Sequence, residues 1–147
     1  MFFPDTSSGT FLQGAGRYQG EWLELQRRLA KSSFRSRFHL NEEQIRIFLE
    51  KGTDRIFAET QQILFQRLAA FSPENDGKQT PMRGYPVFIA QHACGICCRS
   101  CLHKWHHIPQ NRRLDPQEIE KLAWFITAWI QAQSQKKKNI DFTPDLF

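Results

Sequence analysis

The sequence predicts an all-α fold, a compact bundle of about five helices with a long polar loop ahead of a Cys/His-rich helix. Apolar residues recur at three- and four-residue steps over most of the chain, and helix-capping residues precede these stretches. No two neighbouring stretches alternate in the way that predicts paired strands. With 147 residues, the chain is long enough for one domain with a hydrophobic core and too short for two.

The predicted elements follow one another without an internal repeat. Residues 1–18 are expected to form a flexible tail, residues 19–133 the helical domain and residues 134–147 a second flexible tail. The loop SPENDGKQTPMRGYP is marked by three prolines and two glycines, and Gly95 weakens the helix that follows it. The predicted helices are 19–31, Glu42–Lys51 after the N-cap Asn41, Thr53 to about Phe71, Pro86 to Trp105, and one starting at Pro116 behind Asp115.

The net charge of the chain and its expected cellular compartment limit the functions that we consider. The formal net charge is +5, and the segment from Leu25 to Leu40 carries five Arg or Lys residues and no acidic one. No stretch approaches the roughly 18 to 20 apolar residues that cross a bilayer, and the first residues do not form the pattern of a signal peptide. We therefore expect a cytoplasmic protein without a membrane partner, in which cysteines stay reduced and serve as metal ligands or redox groups.

The stretch QHACGICCRSCLHKWHH, residues 91–107, holds all four cysteines and four of the five histidines of the chain. Two interpretations stay open. On an unbroken helix the cysteines form a small apolar stripe that packs into the core without a metal. Alternatively, the two-residue gaps between cysteines are those of zinc sites, and the flanking histidines complete a thiolate–imidazole set. Zinc is the expected ion, and an iron–sulfur cluster is less favoured because this run holds every cysteine available.

Three longer motifs carry a resemblance. FRSRFHL, DGKQTPMRGYPVFIAQHA and CCRSCLHKWHHIP resemble the signatures of a small bacterial family described only as a domain of unknown function. The resemblance covers about residues 20–133 and implies no activity. It implies that Cys97, Cys98 and Cys101 belong to the signature while Cys94 does not. The predicted metal ligands are His92, Cys97, Cys98, Cys101 and His106.

A cationic surface is predicted around this stretch, with nucleic acid as the leading partner class. The glycine-containing loop before the Cys/His stretch can approach an anion through its backbone, or it can be a polar loop packed over a helix end. A solvated basic surface without a partner is the competing interpretation. The predicted nucleic-acid or anion contacts are Arg35, Arg37, His39, Lys78, Arg83, Arg99 and Lys104.

Two further function classes stay open. In an enzyme, Cys98 or Cys101 would act as a nucleophile beside His92 or His106, but the sequence contains no recognised catalytic spacing. In an adaptor, the ending NIDFTPDLF would bind a protein partner. Its Asp-Leu-Phe end resembles peptides that bacterial replication sliding clamps bind, although the upstream Gln is missing. The sequence favours a binding protein over an enzyme.

Overall fold

The computed structural model describes residues 10–70 and 77–141. Within these residues it contains six α-helices, one short 3-10 turn at Arg35–Arg37 and no strand, which confirms the predicted all-α class. The Asp-Leu-Phe ending lies outside the described residues. The helices are α1 (Phe11–Ala30), α2 (Glu42–Lys51), α3 (Thr53–Arg67), α4 (Pro86–Cys94), α5 (Arg99–His106) and α6 (Pro116–Asp141).

Local capping explains where several helices begin. The Asn41 side chain accepts a hydrogen bond from the Gln44 backbone N–H, and the Gln44 side chain accepts one from Asn41, which forms a capping box at α2. Asp115 and Glu118 form the same reciprocal pair at α6. Gly52 then ends α2 at a φ of 89°, a conformation that glycine adopts without strain. These starts were predicted because each depends on neighbouring residues alone.

Helix α6 is the centre of the bundle, and helices α1 to α4 all pack against it. Its inward face, including Leu122, Ile126 and Ile130, is completely buried. Trp124 stacks on Phe11 with the ring centroids 4.8 Å apart, and its indole N–H donates to the Phe11 carbonyl. Burial of this face against four helices supplies the apolar area that holds the fold together.

Helix α1 is longer than predicted. Helix α1 begins at Phe11 rather than near residue 19, because Thr10 and Gln13 form a capping box there. The spacing of apolar residues did not predict this turn, because Gly14 contributes no apolar side chain to the pattern. A Cβ added at Gly14 would lie 2.5 Å from Trp124, so the close approach of the two helices requires glycine. Helix α6 continues to Asp141, past residue 133, where the predicted helical domain ends.

The predicted helix from Pro86 to Trp105 is wrong, because the chain breaks into α4 and α5 at Gly95. Gly95 has a left-handed φ of 71°, and its N–H donates to carbonyls of the last turn of α4. A Cβ at this position would lie 2.7 Å from Trp105 Cγ. The break separates Cys94, which ends α4 inside the core, from the other three cysteines.

Candidate metal centre

Three cysteines converge at the turn between α4 and α5. Cys97 lies in the connecting segment, Cys98 is the N-cap of α5 in an extended conformation, and Cys101 lies in the first helical turn. Their sulfur atoms all lie within 4.8 Å of one another. Cys97 and Cys98 are buried and Cys101 is partly exposed. No described Asp, Glu or His side chain joins this group.

This spacing is compatible with a single metal ion. Zinc–thiolate bonds of about 2.3 Å in a tetrahedron place sulfur atoms roughly 3.8 Å apart, within the range that these three side chains span. In a [4Fe–4S] cluster each cysteine binds a different iron atom, which spreads the thiolates further. Cys94 is fully buried and stays outside the group, and burial raises the pKa of its thiol.

Arg35 lies across the sulfur atoms. Its Nη1 is 3.5 Å from Cys97 Sγ and its Nη2 is 3.1 Å from Cys101 Sγ, so the guanidinium donates a hydrogen bond to each sulfur atom. Nη1 also donates to the His92 carbonyl at 2.7 Å. The guanidinium lies over the ring of Phe34, with its central carbon 5.0 Å from the ring centroid. A residue of the 3-10 turn thus supplies the positive charge of the cysteine centre.

The electrostatics of the centre favour thiolate. A hydrogen bond with Cys101, opposed by burial and assisted by Arg35, lowers the pKa of Cys97 to about 7. The same hydrogen bond and burial raise the pKa of Cys101, so the two sulfur atoms hold one proton between them. Burial alone would lower the pKa of Arg35, but its hydrogen bonds to these two sulfur atoms raise it. Near neutral pH the Cys97 thiol is therefore partly ionised beside a guanidinium.

The backbone of the cysteine turn is held by the polar loop and by α4. Thr80 Oγ1 donates to the Cys97 carbonyl at 2.8 Å. Gln91 Nε2 donates both to Thr80 Oγ1 and to the Ile96 carbonyl. Thr80, Gln91 and Ile96 are all buried. Gln91 and Thr80 therefore position the turn, and their place in sequence beside the cysteine motif was the available signal.

The two predicted histidine ligands do not reach the sulfur atoms. His92 Nε2 lies 3.2 Å from the Thr80 carbonyl and 3.0 Å from the Pro81 carbonyl, and its ring stacks on Phe38. A nitrogen that donates to carbonyl oxygens has no lone pair for a metal. His92 instead ties the polar loop to α4.

His106 is engaged on the other side of the turn. Its Nε2 lies 2.9 Å from the Cys94 carbonyl and its ring stacks on Phe125. Burial, assisted by the nearby positive charges of Arg28 and Lys121, lowers the pKa of His106 to about 4. The ring is therefore neutral at pH 7 and donates to Cys94. Of the five predicted ligands, the structure brings Cys97, Cys98 and Cys101 together.

Arg99, predicted as an anion contact, is completely buried. Its Nη1 donates to the Leu68, Ala69 and Ala70 carbonyls, and its Nη2 donates to the Pro109 and Arg112 carbonyls. These carbonyls lie at the end of α3 and in the segment before α6. Arg99 is thus a structural tie between three parts of the chain, and its guanidinium is not exposed for the predicted phosphate contact.

The remaining predicted cations lie at the surface. Arg37, His39, Lys78, Arg83 and Lys104 are exposed. The guanidinium of Arg37 lies over the exposed Phe34 ring, 5.8 Å from its centroid. Residues 25–41 and 77–113 together hold eleven of the twenty Lys and Arg residues and none of the fifteen acidic ones. Arg35 and the cysteine turn bring these two acid-free segments into contact.

The family model of a domain of unknown function, DUF4186, matches residues 23–131. The chain belongs to this family. The membership confirms the expected likeness to a domain of unknown function, and the matched residues include the cysteine turn, the 3-10 turn and most of α6. No solved structure matches the chain. Among the described residues, no helix has the length and apolar character required to cross a bilayer.

Proposed function

We propose that this protein binds one metal ion, zinc, through the thiolates of Cys97, Cys98 and Cys101. The observation that carries the proposal is the convergence of these three sulfur atoms within 4.8 Å. Thiolates are the ligands that zinc and other soft or borderline ions prefer. The ion would fasten the turn between α4 and α5, whose backbone already depends on Thr80 and Gln91.

Charge balance supports a divalent ion. Three thiolates and one Zn²⁺ together carry a single negative charge, and the guanidinium of Arg35 carries a single positive one. Arg35 already donates to the sulfur atoms of Cys97 and Cys101, and such hydrogen bonds outside the ligand set stabilise thiolate sites. A buried charge needs a partner of this kind because its desolvation is costly.

The decisive experiment is elemental analysis of protein purified without chelator and without a nickel affinity step, with thiol titration of the same sample. We expect one zinc per chain and three thiols that react only after the metal is removed. Cys101→Ser should lose the metal, whereas Cys94→Ala should keep it, because Cys94 lies outside the group. Four reactive thiols and no metal would overturn the proposal and favour the metal-free cysteine face.

Nucleic-acid association is a second candidate function, favoured by the two acid-free segments that meet at the cysteine turn. The exposed Phe34 ring beside Arg37 offers a stacking surface next to a cation, a combination that suits single-stranded nucleic acid. Lys78, Arg83 and Lys104 are exposed and available for phosphate contacts. In this arrangement the metal would hold the scaffold that presents the cations.

The test is the salt dependence of binding to a fluorescent single-stranded oligonucleotide. We expect affinity to fall steeply with salt, and Arg37→Met and Lys104→Met each to reduce the slope of log affinity against log salt by about 0.7. Arg46→Met is the matched control, because Arg46 is equally exposed but paired with Glu43 and Glu50 on α2. Binding that high salt leaves unchanged, or that Arg46→Met weakens equally, would contradict this second function.

A further inference from the structure

We infer that the metal of this centre keeps a fourth coordination position for an external oxyanion, a phosphate group, and that Arg35 selects this ligand. The inference rests on the proposed metal site and deepens it, because it assigns the site a ligand class and not a structural role alone. The groups involved are the thiols of Cys97, Cys98 and Cys101 and the guanidinium of Arg35, which the fold brings together.

The first argument is the number of ligands. Among the described residues the group contains three sulfur atoms and no fourth Cys, His, Asp or Glu. Cys94 is enclosed in the core, and the Nε2 atoms of His92 and His106 are engaged with backbone carbonyls. Structural zinc sites are closed by four protein ligands, whereas sites with three protein ligands bind an exchangeable one. The set of three therefore points to an exchangeable ligand.

The second argument is the donor set of Arg35. Its two terminal nitrogens donate to Cys97, Cys101 and the His92 carbonyl, while its Nε–H has no partner among the described residues. Arg35 is only partly buried. A planar guanidinium matches phosphate oxygens in both charge and geometry, better than a lysine ammonium would.

The third argument is the charge around the site. The segments that meet at the cysteine turn, residues 25–41 and 77–113, contain no carboxylate. Cys101 is partly exposed and its neighbour Ser100 is exposed, so the first turn of α5 is open to a ligand. An approaching anion meets the Arg35 guanidinium and no carboxylate of these segments, which favours phosphate over a cationic ligand.

The experiment uses Co²⁺ as a spectroscopic substitute for zinc in the full-length protein. Thiolate-bound Co²⁺ gives charge-transfer bands, and its visible bands report the fourth ligand. We expect inorganic phosphate to shift the visible bands in a saturable way, while perchlorate at matched ionic strength leaves them unchanged. Parallel titrations with a nucleoside monophosphate and a single-stranded oligonucleotide distinguish a free phosphate ligand from a nucleic-acid phosphate.

Arg35→Met should weaken the phosphate response about tenfold or more, the loss expected for one charge-assisted hydrogen bond. Arg35→Lys should restore only part of it, because the charge remains and the planar fork is lost. Arg46→Met is the control and should stay within about twofold, since Arg46 is paired with Glu43 and Glu50 on α2 and has no sulfur contact. Circular dichroism of each variant checks that the fold is retained.

The outcomes separate the two proposals. Failure of Co²⁺ to bind would overturn the metal site itself. Co²⁺ bound with thiolate charge-transfer bands that phosphate does not alter would leave the metal site standing and overturn the open position. A phosphate response equal in wild type and Arg35→Met would overturn the role of Arg35.

Discussion

Arg35 and Arg99 show how one residue type serves two purposes within a few ångströms of the same turn. Arg99 is fully buried and donates to five backbone carbonyls, so its guanidinium stabilises the fold. Arg35 is partly exposed and donates to two sulfur atoms, so its charge stabilises the thiolate form of the cysteines. The side chains are identical, and the difference lies in which acceptors the fold places around each guanidinium.

Gly95 is the residue on which the cysteine turn depends. Gly95→Ala should lower the free energy of unfolding by about 2 to 4 kcal/mol, because the new Cβ meets Trp105 and the left-handed backbone is strained. Gly20→Ala is the control: Gly20 lies within α1 with nothing near its Cβ position, and the change should stabilise by about 0.5 to 1 kcal/mol. Urea unfolding followed by circular dichroism measures both; equal effects would contradict this account.

His106 should make stability fall in mild acid. Its pKa is lowered from 6.5 to about 4 in the folded chain, so below pH 6.5 the unfolded chain takes up the proton first. The stabilising contribution is complete above pH 6.5 and is lost as pH falls to 4. The full shift corresponds to about 3 kcal/mol, and partial exposure of the residue reduces this to about 2 kcal/mol.

The comparison for His106 is His106→Gln, which keeps an N–H donor for the Cys94 carbonyl but does not titrate. Between pH 7 and pH 4 the wild type should lose about 2 kcal/mol more stability than the variant. Carboxylates titrate in both proteins, so their contribution cancels in the difference. Parallel stability curves for the two proteins would show that His106 is not protonated on unfolding.

At the scale of elements, Arg99 joins the end of α3, the start of α5 and the segment before α6. Arg99→Leu should cost about 3 to 5 kcal/mol, because it leaves several buried carbonyls without donors. Lys104→Met, an exposed change on the same helix, should stay within about 0.5 kcal/mol. The free energies of unfolding from urea titrations decide this; a small effect of Arg99→Leu would mean that water replaces the guanidinium.

How far the sequence predicted the structure also differs between elements. The starts of α2 and α6 were predicted, because Asn41 and Asp115 form caps with residues three positions away. The break at Gly95 was missed, because its close contact with Trp105 is formed only in the folded chain. The early start of α1 was missed for a similar reason, since the apolar partner of Gly14 is Trp124 on α6.

Part of the candidate metal site was also predicted from the sequence and part was not. The cysteine spacing and the family motifs pointed to Cys97, Cys98 and Cys101, and these three do converge. Whether a histidine joins them depends on distant groups: Pro81 and Phe38 around His92, and Phe125 beside His106. Spacing within one segment carries no information about such partners. The role of Arg35 could not be predicted for the same reason.

For the whole molecule, the metal should act as a stabilising ligand. Zinc at one hundred times its dissociation constant should raise the free energy of unfolding by about 2.7 kcal/mol, provided that the unfolded chain binds it weakly. For a chain of this length that corresponds to a rise in Tm of roughly 5 to 10 °C. Chelator should reverse the effect, and Cys101→Ser should not show it; a Tm independent of zinc in the wild type would exclude a stabilising metal.

Arg35 reaches Cys101 across 66 positions of sequence, and it does so only when the 3-10 turn has docked beside the junction of α4 and α5. A nascent or unfolded chain holds the same thiols without their counter-charge, and closing so long a loop has an entropic cost that folding must meet first. Ion capture in the cell should therefore follow collapse of the bundle and report its completion. Ions that bind before the chain has folded would be held by the thiols without Arg35, and we expect them to dissociate faster.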